Sequence, residues 1–138
     1  MRRAFPQRKG FFFRSRMDLQ TERKLEQFLQ LLELPCSRIA PRLEFAQPPL
    51  RVFIEAVGTR LVLSVARPVE AARRDDALRR LVARCDPARH GGLVLRACAL
   101  RRDLMLSCTL DAAHDVGAWL DVHRTLRRLL DTHAGDVR

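Results

Sequence analysis

The sequence lacks a hydrophobic run long enough to cross a membrane, because Arg or Asp interrupts every apolar stretch. A spanning helix needs about 20 consecutive apolar residues. The first 16 residues also lack the apolar core of a secretory signal, since their only apolar run is Phe11 to Phe13. We therefore expect a soluble protein without a secretory signal.

The sequence also has few features of a catalytic or metal site. It holds four cysteines without a CxxC pair, and a zinc site from Cys85, His90, Cys98 and Cys108 lacks the short paired spacings that zinc ligands favour. No nucleophile lies beside a base, and no glycine-rich phosphate loop precedes a helix. We expect free thiols, no cofactor and no enzymatic activity. His123 and His133 are expected beside the apolar face of the last helix or in its last turn, where a cation suits the helix dipole.

Charge is concentrated at the N-terminus. Residues 1–16 carry six basic and no acidic side chains, whereas the whole chain has a net charge of +10. We interpret residues 1–16 as a basic, disordered extension, or as sequence ahead of a functional start at Met17, with a targeting or phosphate-binding arm as the alternative. At 138 residues, the chain is long enough for one compact core, so residues 17–138 are expected to form a single domain.

The periodicity of the apolar residues predicts an α+β sandwich with the element order α-β-β-β-α-β-β-α and an antiparallel-rich sheet on which the helices pack. The predicted elements are a helix from about Asp18 to Leu34 capped by Asp18 or Thr21, an edge strand around Leu43 to Phe45, strands Leu50 to Val57 and Arg60 to Ala66, a helix between Pro68 at its first turn and Pro87 just beyond its end, strands Leu93 to Leu100 and Asp103 to Leu110, and a helix capped by Asp111 or Asp115 and ended by Gly135.

Two features of these elements suggest surfaces for partners. In the strand from Arg60 to Ala66, one face is strongly apolar and the other is only weakly polar, which predicts either a sheet covered on both faces or one face kept for a partner. Each of the three helices has an apolar stripe, and a small five-stranded sheet can hardly cover all three. The stripe of the second helix is narrower than the apolar faces of the other two. Leu78, Leu81, Val82 and Cys85 are therefore expected either to cover the chain's own sheet as core residues or to form a homodimer interface.

The pattern resembles the class I type III secretion chaperones, also called Tir-chaperone-like proteins. The resemblance covers Met17 to about Arg138. It rests on the helix LEQFLQLLELP, the hairpin LRVFIEAVGTRLVLSVARPV, the helix LRRLVARCDPARHGG, and the hairpin LVLRACALRRDLMLSCTL followed by a helix that contains tryptophan. The family is usually acidic, and the mildly basic domain of this chain departs from it.

The resemblance implies a homodimeric, ATP-independent chaperone in the bacterial cytoplasm that binds the N-terminal segment of a secreted effector in extended form and keeps it export-competent. The secretion apparatus is a further implied partner. An extended segment binds by pairing with a strand edge and by placing alternate side chains in apolar grooves. The expected groove residues are Phe28, Leu29, Leu32, Phe45, Val52, Phe53 and Ile54.

The alternative function is nucleic-acid binding. A helix, three strands and a helix is also the order in modules that bind double-stranded RNA, and Arg73 and Arg74 lie near the start of the second helix. Acidic residues follow or interleave with the arginines, however, as Asp75 and Asp76 do here. Mixed signs at helical spacing are more typical of a solvated, ion-paired face.

Overall fold

The computed structural model describes residues 17–135, which form one five-stranded sheet with three α-helices. The prediction of a disordered basic extension at residues 1–16 lies outside the described residues. The elements are α1 (Leu19–Leu31), β1 (Arg42–Gln47), β2 (Leu50–Val57), β3 (Arg60–Pro68), α2 (Arg74–Ala83), β4 (Arg96–Leu100), β5 (Asp103–Leu110) and α3 (Val116–Ala134). The predicted α+β class and element order are confirmed.

The sheet is antiparallel throughout, with the strand order β1-β2-β3-β5-β4. β1 is therefore an edge strand, as predicted, and β4 forms the opposite edge. Gly58 lies in the two-residue turn between β2 and β3 and has a φ of 63°, a conformation that glycine adopts without steric cost.

All three helices lie on one side of the sheet. α3 packs on the two central strands β3 and β5, α1 packs on α3, and α2 packs on α3 and β4. The core between the layers takes every second residue of the strands, as Leu61, Leu63 and Val65 of β3 show. One face of the sheet is therefore buried, and the other is free of helices within the described residues.

Both long helices begin at predicted aspartate caps. The Asp18 carboxylate accepts a hydrogen bond from the Thr21 amide at 2.7 Å, and the Asp115 carboxylate accepts one from the Ala118 amide at 2.9 Å. Helix α1 ends at Leu31 and not at the predicted Leu34, because Glu33 adopts a left-handed conformation with a φ of 59°. The chain thus leaves the helix before it reaches Pro35.

Two other predicted boundaries are wrong. Pro68 does not begin a helix but ends β3 opposite Asp103, and α2 starts six residues later, after a 3-10 turn over Ala71–Arg73. Proline is tolerated at a strand end because it only lacks a donor there. β4 starts at Arg96 and not at Leu93, since Gly91 and Gly92 have positive φ values and redirect the chain.

Candidate functional site

The helix-free face of the sheet is a surface of mixed polarity. Its side chains include Phe53, Val62, Ser64, Met105 and Ser107, all only partly buried. The Ser64 and Ser107 hydroxyls are hydrogen-bonded to each other at 2.7 Å between adjacent strands. Of the two predicted arrangements of the sheet, the one that leaves a face uncovered is found within residues 17–135.

Ion pairs close one end of this face. The Arg51 guanidinium lies 3.0 Å from the Glu44 carboxylate and 3.5 Å from that of Asp103, so it bridges from β1 to β5. It also stacks over the Phe53 ring at 5.2 Å from the ring centroid. The buried Ala66 lies opposite Arg51 in the sheet. A partner therefore meets charged, already paired groups at this end.

The other end of the face opens into a groove of about 1070 Å³. Its floor includes Val62, Met105 and Thr109 of the central strands, and one wall is the segment of residues 91–94 that leads into β4. The groove continues around the edge of β5 to Trp119 of α3. Sequence reasoning did not single out these residues, although the weakly polar alternation of β3 pointed to this face.

The opposite wall of the groove is a loop, residues 111–115, that α1 fixes in place. The Lys24 ammonium donates hydrogen bonds to the Ala112 carbonyl and, at 2.7 Å, to the His114 carbonyl. It also lies 5.0 Å from the centroid of the Trp119 ring, whose indole N–H donates to the Asp111 carbonyl at 2.9 Å. The shape of the groove therefore depends on α1 as well as on the sheet.

The residues expected to form an effector groove are divided between core and surface. Leu32 and Phe53 are partly exposed. The other five are covered by the domain's own packing, which assigns them to the core in this structure: Phe28, Leu29, Phe45, Val52 and Ile54. Phe28, for example, meets Trp119 edge to face with ring centroids 5.8 Å apart. Spacing along a helix or strand identifies the apolar side but not what covers it.

The predicted dimer interface is divided in the same way. Leu81 is fully buried in the domain core, where Ala77 accompanies it, whereas Val82 is 54% exposed and Leu78 and Cys85 are half-buried. Leu78 and Cys85 lie on the flank of α2 that faces β4. Arg74, on the same flank, donates a hydrogen bond to the Arg101 carbonyl in the turn between β4 and β5.

Together with β4, this flank forms an exposed apolar strip. We call it the α2–β4 strip, and its members are Leu78, Val82, Cys85, Ala97 and Ala99. Leu100, whose side chain lies on the helix-free face of β4, is 45% exposed, and the outer edge of β4 pairs with no strand among the described residues. The only charged side chain of β4 is Arg96. An edge strand with so little charge is poorly protected against pairing with another chain.

The two histidines of α3 do not act as cations at its C-terminus. Burial, followed by the charges of Arg127 and Arg124, lowers the pKa of His123 to about 4. Burial, followed by the charges of Arg84 and Arg80, lowers the pKa of His133. The expected placements are found, because His123 lies beside the apolar face and His133 lies in the last turn, but the lowered pKa values favour the neutral imidazole over the expected cation. His123 is instead hydrogen-bonded to the Gln47 side chain at 3.1 Å.

The cysteines are free thiols, as expected. Burial raises the pKa of Cys85 and of Cys108, so both thiols stay protonated at neutral pH. No three His, Cys, Asp or Glu side chains within residues 17–135 lie close enough together to hold a metal ion. The same part of the chain contains no helix that is long and apolar enough to span a membrane.

Many of the arginines considered for nucleic-acid binding are engaged within the domain. Arg73 donates to the Gly135 carbonyl at 3.2 Å, and Arg74 donates to that of Arg101. The remaining engaged arginines form ion pairs with neighbouring carboxylates: Arg79 and Arg80 with Asp76, Arg124 with Asp121, and Arg127 with Asp131. Helices α2 and α3 thus carry the ion-paired surface that side chains of opposite charge at helical spacing indicate.

The chain was compared with protein families, with proteins of curated function and with solved structures. No protein of curated function matches the chain. The crystal structure of YbjN from E. coli, described as a candidate transcription regulator, has 12% sequence identity and a TM-score of 0.47, with coverage of 80% of this chain and 86% of YbjN. The sequence pattern of the SsaM family matches residues 18–133, which include every helix and strand of the sandwich except the last residue of α3. The chain belongs to the SsaM family.

Proposed function

We propose that this protein is a cytoplasmic, ATP-independent chaperone of type III secretion that acts as a homodimer, without cofactor or catalysis. Its client is the N-terminal segment of a secreted effector, which it holds in extended form for export. Membership of the SsaM family supports the secretion-related chaperone role, because SsaM is a type III secretion chaperone-like protein.

The observation that carries this proposal is the bare face of the sheet with its unpaired edges. An unpaired strand edge is a template for pairing with another chain. Here the face between β2 and β5 stays free of any helix, and the outer edges of β1 and β4 lack a partner strand within residues 17–135. An extended segment binds to such surfaces by main-chain pairing and needs no fold of its own.

The α2–β4 strip supports the homodimer. Burying a Val or Leu side chain stabilises an association by about 1.5 to 3 kcal/mol. Val82 is 54% exposed, and Leu78 and Cys85 lie beside it on the same flank of α2. Two copies that meet here bury these side chains and also cover the edge of β4.

Deletion of the gene in its host tests the secretion role. We expect a substrate of the type III apparatus to disappear from the culture medium and to decrease in the cytoplasm, while unrelated secreted proteins are unaffected. Expression of the chain from a plasmid restores secretion. Unchanged secretion of every type III substrate in the deletion strain contradicts the proposal.

A further inference from the structure

The sheet has a vacant strand position beside the last residues of β5. β3 pairs with β5 as far as Leu110, whereas β4 pairs with it only as far as Ser107, where β4 begins at Arg96. Cys108, Thr109 and Leu110 therefore have a neighbouring strand on one side only, among the described residues. At about 3.4 Å per residue, this unpaired edge is about 10 Å long.

The groove at this edge has the size and shape for a peptide in extended conformation. Clefts that bind drug-sized molecules have volumes of about 300 to 1000 Å³. This groove, at about 1070 Å³, lies at the upper limit and is open along its length between residues 91–94 and the loop of residues 111–114. A strand placed here continues the line of β4 and pairs with the free edge of β5.

The two faces of this position differ in polarity. Side chains opposite Cys108 and Leu110 point to the helix side, where Trp119 and Val122 line the groove. A side chain opposite Thr109 points to the helix-free face. Trp119 and Val122 are only 1% and 7% exposed, so this side offers room for small apolar side chains. An occupant therefore places two small apolar side chains on this side, with a small polar residue between them.

Two acidic and two basic side chains line the groove, and only the two basic ones lack partners within residues 17–135. Its two acidic side chains already have partners: Glu55 lies 4.0 Å from Arg42, while Asp111 accepts from the Ala113 amide at 2.9 Å and lies 3.9 Å from the His114 ring. Arg60 and Arg96, which also line the groove, form no ion pair or side-chain hydrogen bond within residues 17–135. Both project to the helix-free face, at opposite ends of the vacant position.

From this placement we infer that the groove binds an extended acidic segment of a partner protein, which adds a strand to the end of β5 and places carboxylates near Arg60 and Arg96. The inference rests on the proposed function and specifies the charge of the client segment. Arg96 lies opposite Ser107, and Arg60 precedes Leu61, which pairs with Leu110. The paired stretch is thus three residues long, opposite Cys108, Thr109 and Leu110. The acidic residues flank it outside the paired positions, one near Arg96 in line with β4 and the other near Arg60, which reaches across from β3.

Two short capped peptides test the inference on the full chain: Glu-Val-Thr-Val-Glu and its matched control Lys-Val-Thr-Val-Lys. Binding is followed by the amide shifts of Cys108, Thr109 and Leu110 in NMR spectra and by the fluorescence of Trp119. We expect the acidic peptide to shift these signals at a concentration at least tenfold lower than the basic one. Because the attraction is electrostatic, added salt should weaken it.

Charge-reversed variants locate the site. The double variant Arg60→Glu, Arg96→Glu should weaken binding of the acidic peptide at least tenfold. The matched control Arg128→Glu changes an exposed arginine on α3, away from the groove, and should leave binding unchanged. Equal binding of the two peptides, no binding of either, or equal effects of the variants would overturn the inference. It is also overturned if the same signals shift with protein concentration alone, which indicates that a second copy fills the groove.

The secretion assay separates this inference from the proposed function. If the plasmid copy with Arg60→Glu and Arg96→Glu restores secretion as well as Arg128→Glu does, the chaperone role stands and the acidic-client groove is wrong. If the deletion strain has no secretion defect but the acidic peptide binds as expected, the groove stands and the proposed function fails.

Discussion

A single buried histidine makes the stability of the domain depend on pH. His123 is 5% exposed, is hydrogen-bonded to Gln47, and has a pKa of about 4 in the folded state, against 6.5 for an ordinary histidine. Below pH 6.5, His123 is therefore protonated in the unfolded chain but stays neutral in the folded chain until the pH approaches 4. We expect the free energy of unfolding to fall by about 3 kcal/mol between pH 6.5 and pH 4, measured by urea denaturation.

The variant His123→Gln is the control for this prediction, because glutamine retains a polar group toward Gln47 but does not titrate. Its free energy of unfolding should change much less over the same pH range. His133, whose pKa is also lowered, contributes a smaller loss of the same sign in both proteins. An equally steep loss in the variant would show that other groups are responsible.

Gly135 is required at the end of α3 because there is no space for a side chain. A Cβ at this position would lie 2.5 Å from the Asp131 carbonyl oxygen and 3.2 Å from the Arg67 guanidinium. Gly135→Ala should lower the free energy of unfolding by about 1 to 3 kcal/mol, as overpacking does. The control is Gly117→Ala in the first turn of α3, where the nearest atom is 3.4 Å away, and there alanine should stabilise the helix by about 0.5 to 1 kcal/mol.

At the scale of elements, Lys24 joins α1 to the loop between β5 and α3. Lys24→Met removes its hydrogen bonds to the Ala112 and His114 carbonyls and its stacking on Trp119. We expect a loss of about 1.5 kcal/mol in the free energy of unfolding. Hydrogen exchange should also become faster at the amides of the loop.

Arg23→Met is the matched control for Lys24→Met, because Arg23 is exposed on the same helix and makes no side-chain hydrogen bond within residues 17–135. Its effect should stay within about 0.5 kcal/mol. If both variants lose the same stability, the loss comes from the helix itself and not from the contact between α1 and the loop.

The sequence predicts elements well where local patterns decide them. β2 and β5 have the predicted bounds, and the Asp18 cap follows from a short polar side chain ahead of an apolar stripe. Boundaries fail where the tertiary fold decides. Pro68 is accepted into β3 because β5 passes beside it, and Leu93 lies outside β4 because the glycines before it turn the chain away.

At the scale of the whole molecule, the candidate surfaces depend on which side of each apolar element the rest of the chain covers. The stripe of α2 predicted Leu81 and Val82 as equivalent, yet one is buried and the other exposed. The groove at β5 exists only because β4 is shorter than β5. The alternation of apolar and polar residues along the sequence does not predict this difference in length. Single positions within a stripe therefore need the three-dimensional packing.

Two equally exposed valines provide a well-matched pair of variants for testing the homodimer. Val82 on α2 is 54% exposed and Val57 at the end of β2 is 52% exposed, but only Val82 belongs to the α2–β4 strip. Val82→Asp buries a carboxylate in the proposed interface, which is costly, whereas Val57→Asp places one in solvent. Light scattering at micromolar concentration should give a dimer for the unmodified chain and for Val57→Asp, and a monomer for Val82→Asp. Circular dichroism should show all three proteins folded, because neither valine lies in the core.

Two outcomes would contradict the prediction. If Val82→Asp is still a dimer, the interface does not include the α2–β4 strip. If the unmodified chain is monomeric at every concentration, the protein is not a homodimer.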